Sequence, residues 1–158
     1  MATAPSSGIP RAATSGEVDG LHRLPPQNLD AEKGVLGSLL LDPDLCDEVA
    51  LILRSDDFYS DANRKLFEHL MALHEDGKRP DALLLIDRMK QQGQYEAVGG
   101  GAYIAEVAQS VPYAANATYY AKIVRDKATL RAVIHASSEI LRNAYDNATD
   151  PAEVVSQA

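Results

Sequence analysis

Tryptophan is absent from this sequence, phenylalanine occurs twice and cysteine once. One thiol excludes an internal disulfide framework and suits a reducing cytoplasm. Cys46 follows Leu45 with no lysine or histidine close by to stabilise a thiolate, so it reads as a small buried apolar side chain rather than a reactive one. Long apolar runs are missing too. Nowhere do the roughly 18 consecutive apolar residues of a membrane span occur, and no apolar segment follows Met1 as a secretory signal requires. Cations are short: 15 Lys and Arg face 23 Asp and Glu, a formal net charge of −8. Phosphate backbones repel such a chain, which argues against tight, sequence-independent DNA binding.

Catalytic equipment is equally scarce. No Gly-x-Ser-x-Gly elbow and no Gly-Lys-Ser/Thr phosphate loop occurs, and the Gly99–Gly101 run leads into Ala102 and Tyr103. His69 and His74 are five residues apart and so do not share a helical face as a metal pair would, while His22 and His135 are isolated. The acidic group Asp42, Asp44, Asp47 and Glu48 lacks calcium-loop spacing and already suits a helix start. No catalytic residue, cofactor site or metal site is expected.

What is present is helical punctuation around enough apolar residues, 46% of the chain, for one domain with a core. The opening "MATAPSSGIPRAATSGEVDG" is the exception, too poor in large apolar residues to offset its ordering entropy, so residues 1–23 are expected to be a disordered tail. Asn28 caps a first helix, with the acidic Asp30 and Glu32 in its first turn favouring the positive helix end, whose face carries Leu29, Leu36 and Leu40, with Val35 and Leu39 beside it. Gly34, Gly37 and Ser38 within that helix suggest close approach by another element. Asp42-Pro43 starts a second helix, with Leu45, Val49, Ile52 and Leu53 as its stripe. A third begins near Ser60 or Asp61, buries Leu66, Phe67, Leu70, Met71 and Leu73, and ends at Gly77. Asp81 caps a fourth that stops at Gly93, its rotation left open by the run Leu83, Leu84, Leu85 and Ile86, and a short helix follows the three glycines.

From Ala114 to about Tyr145 neither glycine nor proline appears, far beyond an ordinary helix of about 11–12 residues. Ile123, Leu130, Ile134 and Leu141 recur at seven, four and seven, the narrow seam of a helix that meets another helix, with Lys127 and Ser137 as interruptions. These four are the candidate oligomer interface. Lys122, Arg125, Lys127 and Arg131 read either as a solvated helix face or as a contact surface for an acidic partner or nucleic acid. Tyr103, Tyr113, Tyr119 and Tyr120 read as a local core where the long helix meets the globular part, with interface or base-stacking roles as alternatives. Asp150, Pro151 and Glu153 then open a helix that stops within two turns, so the expectation is a chain cut within a longer protein.

The order "LPPQNLDAEKGVLGSLLLDPD", "DDFYSDANRKLFEHLMALHEDG" and "GQYEAVGGGAYIAEVAQSVPYAANATYYAKIVRD" resembles the N-terminal domain of the bacterial replicative DNA helicase, the DnaB family, from Leu24 to the end. The resemblance implies an all-α fold, a compact globular helical bundle at 24–111 and a protruding helical hairpin at 112–158 with its second helix truncated. It implies a collar domain for ring assembly by dimerisation within a hexamer, docking of primase and, as a further candidate, a helicase loader. The full-length ring would act on DNA. The ATP-driven, Mg-dependent 5′–3′ motor would lie in a C-terminal domain that this sequence does not contain. The implied setting is the nucleoid-associated replisome in the cytoplasm, without a membrane. A free-standing helical nucleic-acid-binding protein using the basic cluster is the competing reading.

Overall fold

A computed structural model describes residues 23–146 and 148–158, so the expected tail lies, except for Arg23, outside the described residues. Those residues form seven α-helices joined by turns and short 3-10 segments, with no strand. The fold is all-α, as expected.

Helix α1 (Leu29–Leu41) is the central element. The Ala31 N–H donates to Asn28 Oδ1 at 2.9 Å, the cap read from sequence. The expected single stripe is only part of its buried surface. Ala31, Glu32, Gly34, Val35, Leu36, Gly37, Ser38 and Leu39 are all buried, while Leu29 is 42% exposed in the first turn. A helix covered on nearly every side must sit inside the bundle, and α1 contacts α3 (Asp61–Glu75), α5 (Gly100–Ala108) and α6 (Ala117–Tyr145).

Two glycines make that packing possible. A Cβ at Gly34 would lie 2.8 Å from the Tyr120 ring of α6. At Gly37 it would lie 2.6 Å from Val107 O at the end of α5 and equally close to Ser110 Oγ. A tyrosine ring can swing aside, whereas a helix carbonyl moves only with its backbone. Gly37→Ala is therefore expected to destabilise the fold by about 2 kcal/mol, an overpacking cost larger than the roughly 1 kcal/mol that alanine gains in helix propensity. Gly34→Ala should cost less. Urea unfolding midpoints check this, and an unchanged or raised midpoint for Gly37→Ala would contradict it.

The second helix is shorter than its stripe suggested. Pro43–Leu45 form a 3-10 turn, α2 covers only Cys46–Ala50, and Ile52 and Leu53 pack on the core from the turn that follows. The interruption has a local cause: the Arg54 N–H donates to Asp57 Oδ2 at 2.8 Å, which starts a separate 3-10 turn at Ser55–Asp57. Cys46 is fully buried, and burial, then the nearby Asp47, Asp44 and Asp42 charges, push its thiol up to about 11.

Ser60 caps α3, which buries Leu66, Phe67, Leu70 and Leu73; Met71 is half-buried. Gly77 takes φ +74° past its end, and Lys78 N–H reaches back to Leu73 O at 3.0 Å, a glycine-terminated helix end of the expected kind. In α4 (Ala82–Gln91) the Leu84 N–H donates to Asp81 Oδ1 at 2.8 Å, and Leu85 and Met89 are buried while Leu83 faces out, which fixes the rotation the apolar run left open. Phe58 and Phe67 stack at 4.9 Å in the core, so both phenylalanines are used there.

A candidate self-association ridge on the long helix

Helix α6 spans 29 residues, about 43 Å at 1.5 Å per residue. Its first part is anchored: Ala117, Ala121 and Val124 are buried against the globule. From Leu130 onward the side chains are half-buried at most. The chain then reverses, and α7 (Pro151–Gln157) lies back on the end of α6, where Asn143 Nδ2 donates to Gln157 Oε1 at 3.0 Å. Asp150 caps α7 through the Ala152 N–H at 3.1 Å, with Pro151 in its first turn.

Leu130, Ile134 and Leu141 are 48%, 52% and 58% exposed. At 100° per residue they fall within a narrow arc, roughly 120° around the helix from the Ala117–Ala121–Val124 line. Neither the globule nor α7 covers them. Ile123 shares that arc but is half-buried against the core, so the fully projecting part of the seam starts one heptad later, at Leu130. Sequence spacing alone missed two neighbours, Val133 and Tyr145, which are 56% and 81% exposed.

The basic cluster does not form one face. Around the helix Lys127 and Arg131 lie on one side and Lys122 and Arg125 on another, with the core-facing line between Arg125 and Arg131. Both arginines are turned onto the globule. Arg125 Nη1 donates to Asp57 Oδ1 at 2.6 Å. Arg131 donates to Asp57 O at 2.6 Å and Pro26 O at 2.8 Å, and its guanidinium lies 5.6 Å from the centre of the Tyr59 ring. Sequence reasoning missed this clasp because its partners are 68 to 105 residues away. Arg125 and Arg131 hold the rod at its angle. Among the described residues Lys122 and Lys127 have no ion-pair partner.

A second polar centre lies under the clasp. Glu32 of α1 is 1% exposed, and among the described residues it has no ion-pair partner. Its carboxylate accepts from the Tyr59 N–H at 2.6 Å, the Ser60 N–H at 3.3 Å and Asn63 Nδ2 at 2.8 Å. Tyr103 Oη donates to Asn63 Oδ1 at 2.6 Å and so fixes the amide. Glu32 was expected to serve the start of its own helix; instead it serves the start of α3, where free N–H groups and the helix dipole balance its charge.

The other candidate groups are absorbed by the fold. His69 Nε2 meets Gln94 Oε1 at 2.9 Å and His74 Nε2 meets Asp47 Oδ1 at 2.7 Å, while Arg79 Nη1 donates to Asp44 Oδ1 at 2.7 Å. Among the described residues no three His, Cys, Asp or Glu side chains converge as a metal set, and no helix is long and apolar enough to cross a membrane. At the glycine run a Cβ at Gly99 would meet Tyr103 Cβ at 2.9 Å and one at Gly101 would meet Tyr95 Oη at 2.8 Å, so tyrosine side chains pack closely on this backbone. Of the tyrosines, Tyr103 and Tyr120 pack on the core, and Tyr113 and Tyr119 are 72% and 65% exposed.

Comparison with known proteins places this architecture. The family model described as the DnaB-like helicase N-terminal domain matches residues 24–126. Curated relatives include the replicative DNA helicase DnaC of Bacillus subtilis, 35% identical over 86% of this chain and 30% of its own, and the replicative DNA helicase DnaB of Mycobacterium leprae, 38% identical over 86% and 23%. The chain thus spans less than a third of the length of these relatives. The crystal structure of the N-terminal domain of DnaB helicase from Mycobacterium tuberculosis aligns with a TM-score of 0.80 at 36% identity, covering 85% of this chain and 94% of that one. The N-terminal domain of DnaB helicase from Helicobacter pylori, described with its interactions with primase, aligns with a TM-score of 0.66 at 21% identity, covering 74% and 91%; it supports the fold.

Proposed function

The chain belongs to the DnaB-like helicase N-terminal domain family, and from that premise we propose that it is the collar domain of a replicative DNA helicase. Copies pair along the rod, the pairs build a ring, and the paired surface receives primase. One observation carries the reading: Leu130, Ile134 and Leu141 form an apolar ridge, about half exposed, on a helix that runs past its own globule. Leaving that ridge in water forgoes on the order of 1.5–3 kcal/mol per side chain, and a second copy of the helix offers the same edge. Support for the primase role comes from the relative described with its primase interactions. The ATP-driven motor belongs to the remaining length of such helicases, and DNA is the substrate of the ring.

The competing reading, a nucleic-acid-binding surface on the basic cluster, draws little support from side chains of which two are spent on the globule. Calorimetric titration of the chain with its cognate primase tests the docking role. Saturable binding that weakens when pairing is broken by Leu130→Asp with Ile134→Asp is expected; no heat at concentrations where the chain is paired would contradict it.

A further inference from the structure

On α3 the residues Glu68, Met71, Ala72 and Glu75 share one stripe, with a carboxylate at each end, about 10 Å apart along the axis. Met71 and Ala72 between them are half-buried. Beside them a cavity of about 280 Å³ opens against the end of α2 and the turn that follows it, with Leu53 and Phe67 as its floor and Ala50 on its far wall. Leu51, in that same turn, is 88% exposed. We propose that this groove docks a basic amphipathic helix of another protein. A large apolar side chain of that helix enters between α2 and α3, and two Lys or Arg residues seven apart on it meet Glu68 and Glu75. The groove shares no residue with the ridge on α6, so the proposal stands apart from the pairing of copies.

Charge selects the partner. Glu68 and Glu75 are exposed, and among the described residues neither has an ion-pair partner. The cations nearest along α3 are engaged elsewhere: Arg64 and Lys65 both pair with Asp61. Glu48 of α2 is exposed and also without an ion-pair partner among the described residues, which keeps this side of the molecule acidic. Such a rim repels phosphates and acidic segments and attracts a basic one. Shape selects a helix. Positions i, i+3, i+4 and i+7 are what one helix face presents, and a docking helix returns the same spacing, placing cations opposite carboxylates and apolar residues over Met71 and the cavity. The cavity lies below the roughly 300–1,000 Å³ of small-molecule clefts but admits one anchoring side chain. Met71, unbranched and polarizable, can adjust to the shape of that anchor. The chain's own rod is a poor match, because its lysines without ion-pair partners, Lys122 and Lys127, are five apart and lie on different sides of α6.

Amide chemical shifts of the isotope-labelled chain test this. The probe is a helical, alanine-rich peptide of about 15 residues, with two lysines seven apart and two leucines midway between them. Saturable shifts centred on Ala50, Ser55, Glu68, Met71 and Glu75 are expected, with an affinity that falls at least about fivefold between roughly 50 and 300 mM salt. Glu68→Lys combined with Glu75→Lys should weaken this peptide at least about tenfold and should instead bind the peptide whose lysines are replaced by glutamates. Both positions are exposed, so the variant keeps its fold. No shift at millimolar peptide, shifts confined to the α6 ridge, or equal affinity of wild type and variant for the lysine peptide would overturn the proposal. Shifts of the same amides when the chain alone is concentrated would assign the groove to a second copy and overturn it as well.

Discussion

Glu32→Ala is expected to destabilise the fold by about 3 kcal/mol, although the residue touches neither the ridge nor any candidate partner surface. The substitution removes the common acceptor of the Tyr59 N–H, the Ser60 N–H and Asn63 Nδ2. Each buried donor left without a partner costs about 1–3 kcal/mol, and bonds to a charged acceptor lie at the upper end. The cavity vacated by the side chain adds to this, while relief from burying a charge offsets part of it. Glu32→Gln should cost less, about 1–2 kcal/mol, because its amide oxygen can still accept one of the two backbone N–H groups. Urea unfolding followed by circular dichroism provides the comparison. Equal stability of Glu32→Ala and wild type would mean that the cluster joining α1 to the start of α3 contributes nothing.

Leu130→Asp combined with Ile134→Asp is expected to weaken self-association by at least about 100-fold, or about 2.7 kcal/mol at 298 K. Two copies lose four buried apolar side chains, each worth on the order of 1.5–3 kcal/mol of transfer, and four carboxylates are brought into the contact instead. Burying unpaired charge costs further. The fold itself should be unaffected, within about 0.5 kcal/mol, because both side chains project from the globule. The combination of lost association and kept stability separates an interface residue from a core residue. Ile123→Asp, by contrast, should lower stability as well, since that side chain packs on the core.

What could be read from the sequence was local. Asn28, Ser60, Asp81 and Asp150 each accept from a backbone N–H two or three residues on, so the cap and the capped helix sit in the same few residues. Gly77 and Gly93 mark helix ends for the same reason, through the positive φ each adopts. The seam was legible as far as periodicity goes, because spacing tells which side chains share an arc of a helix. It cannot tell how far along that arc the globule reaches, which is why Ile123 stood among the exposed positions and Val133 and Tyr145 did not. The second helix was overextended because Leu45, Val49, Ile52 and Leu53 are spaced as if one helix carried them, and only the Arg54–Asp57 bond shows where it breaks. Least legible were the long-range polar contacts. Glu32 looked like an ordinary first-turn acid, and Arg125 and Arg131 looked like half of a basic patch. Their partners, in the turns at 55–60 and at Pro26, are set by the packing of α6 across α1 rather than by any local pattern.

Sedimentation equilibrium of the wild-type chain across a concentration series, beside the Leu130→Asp, Ile134→Asp double variant, is the most direct measurement of whether the rod exists to join two copies. The expected result is a weight-average mass that climbs from one chain toward two for the wild type and stays at one for the variant. A wild type that remains a single chain at the highest concentration, or a variant that climbs alongside it, would contradict the account.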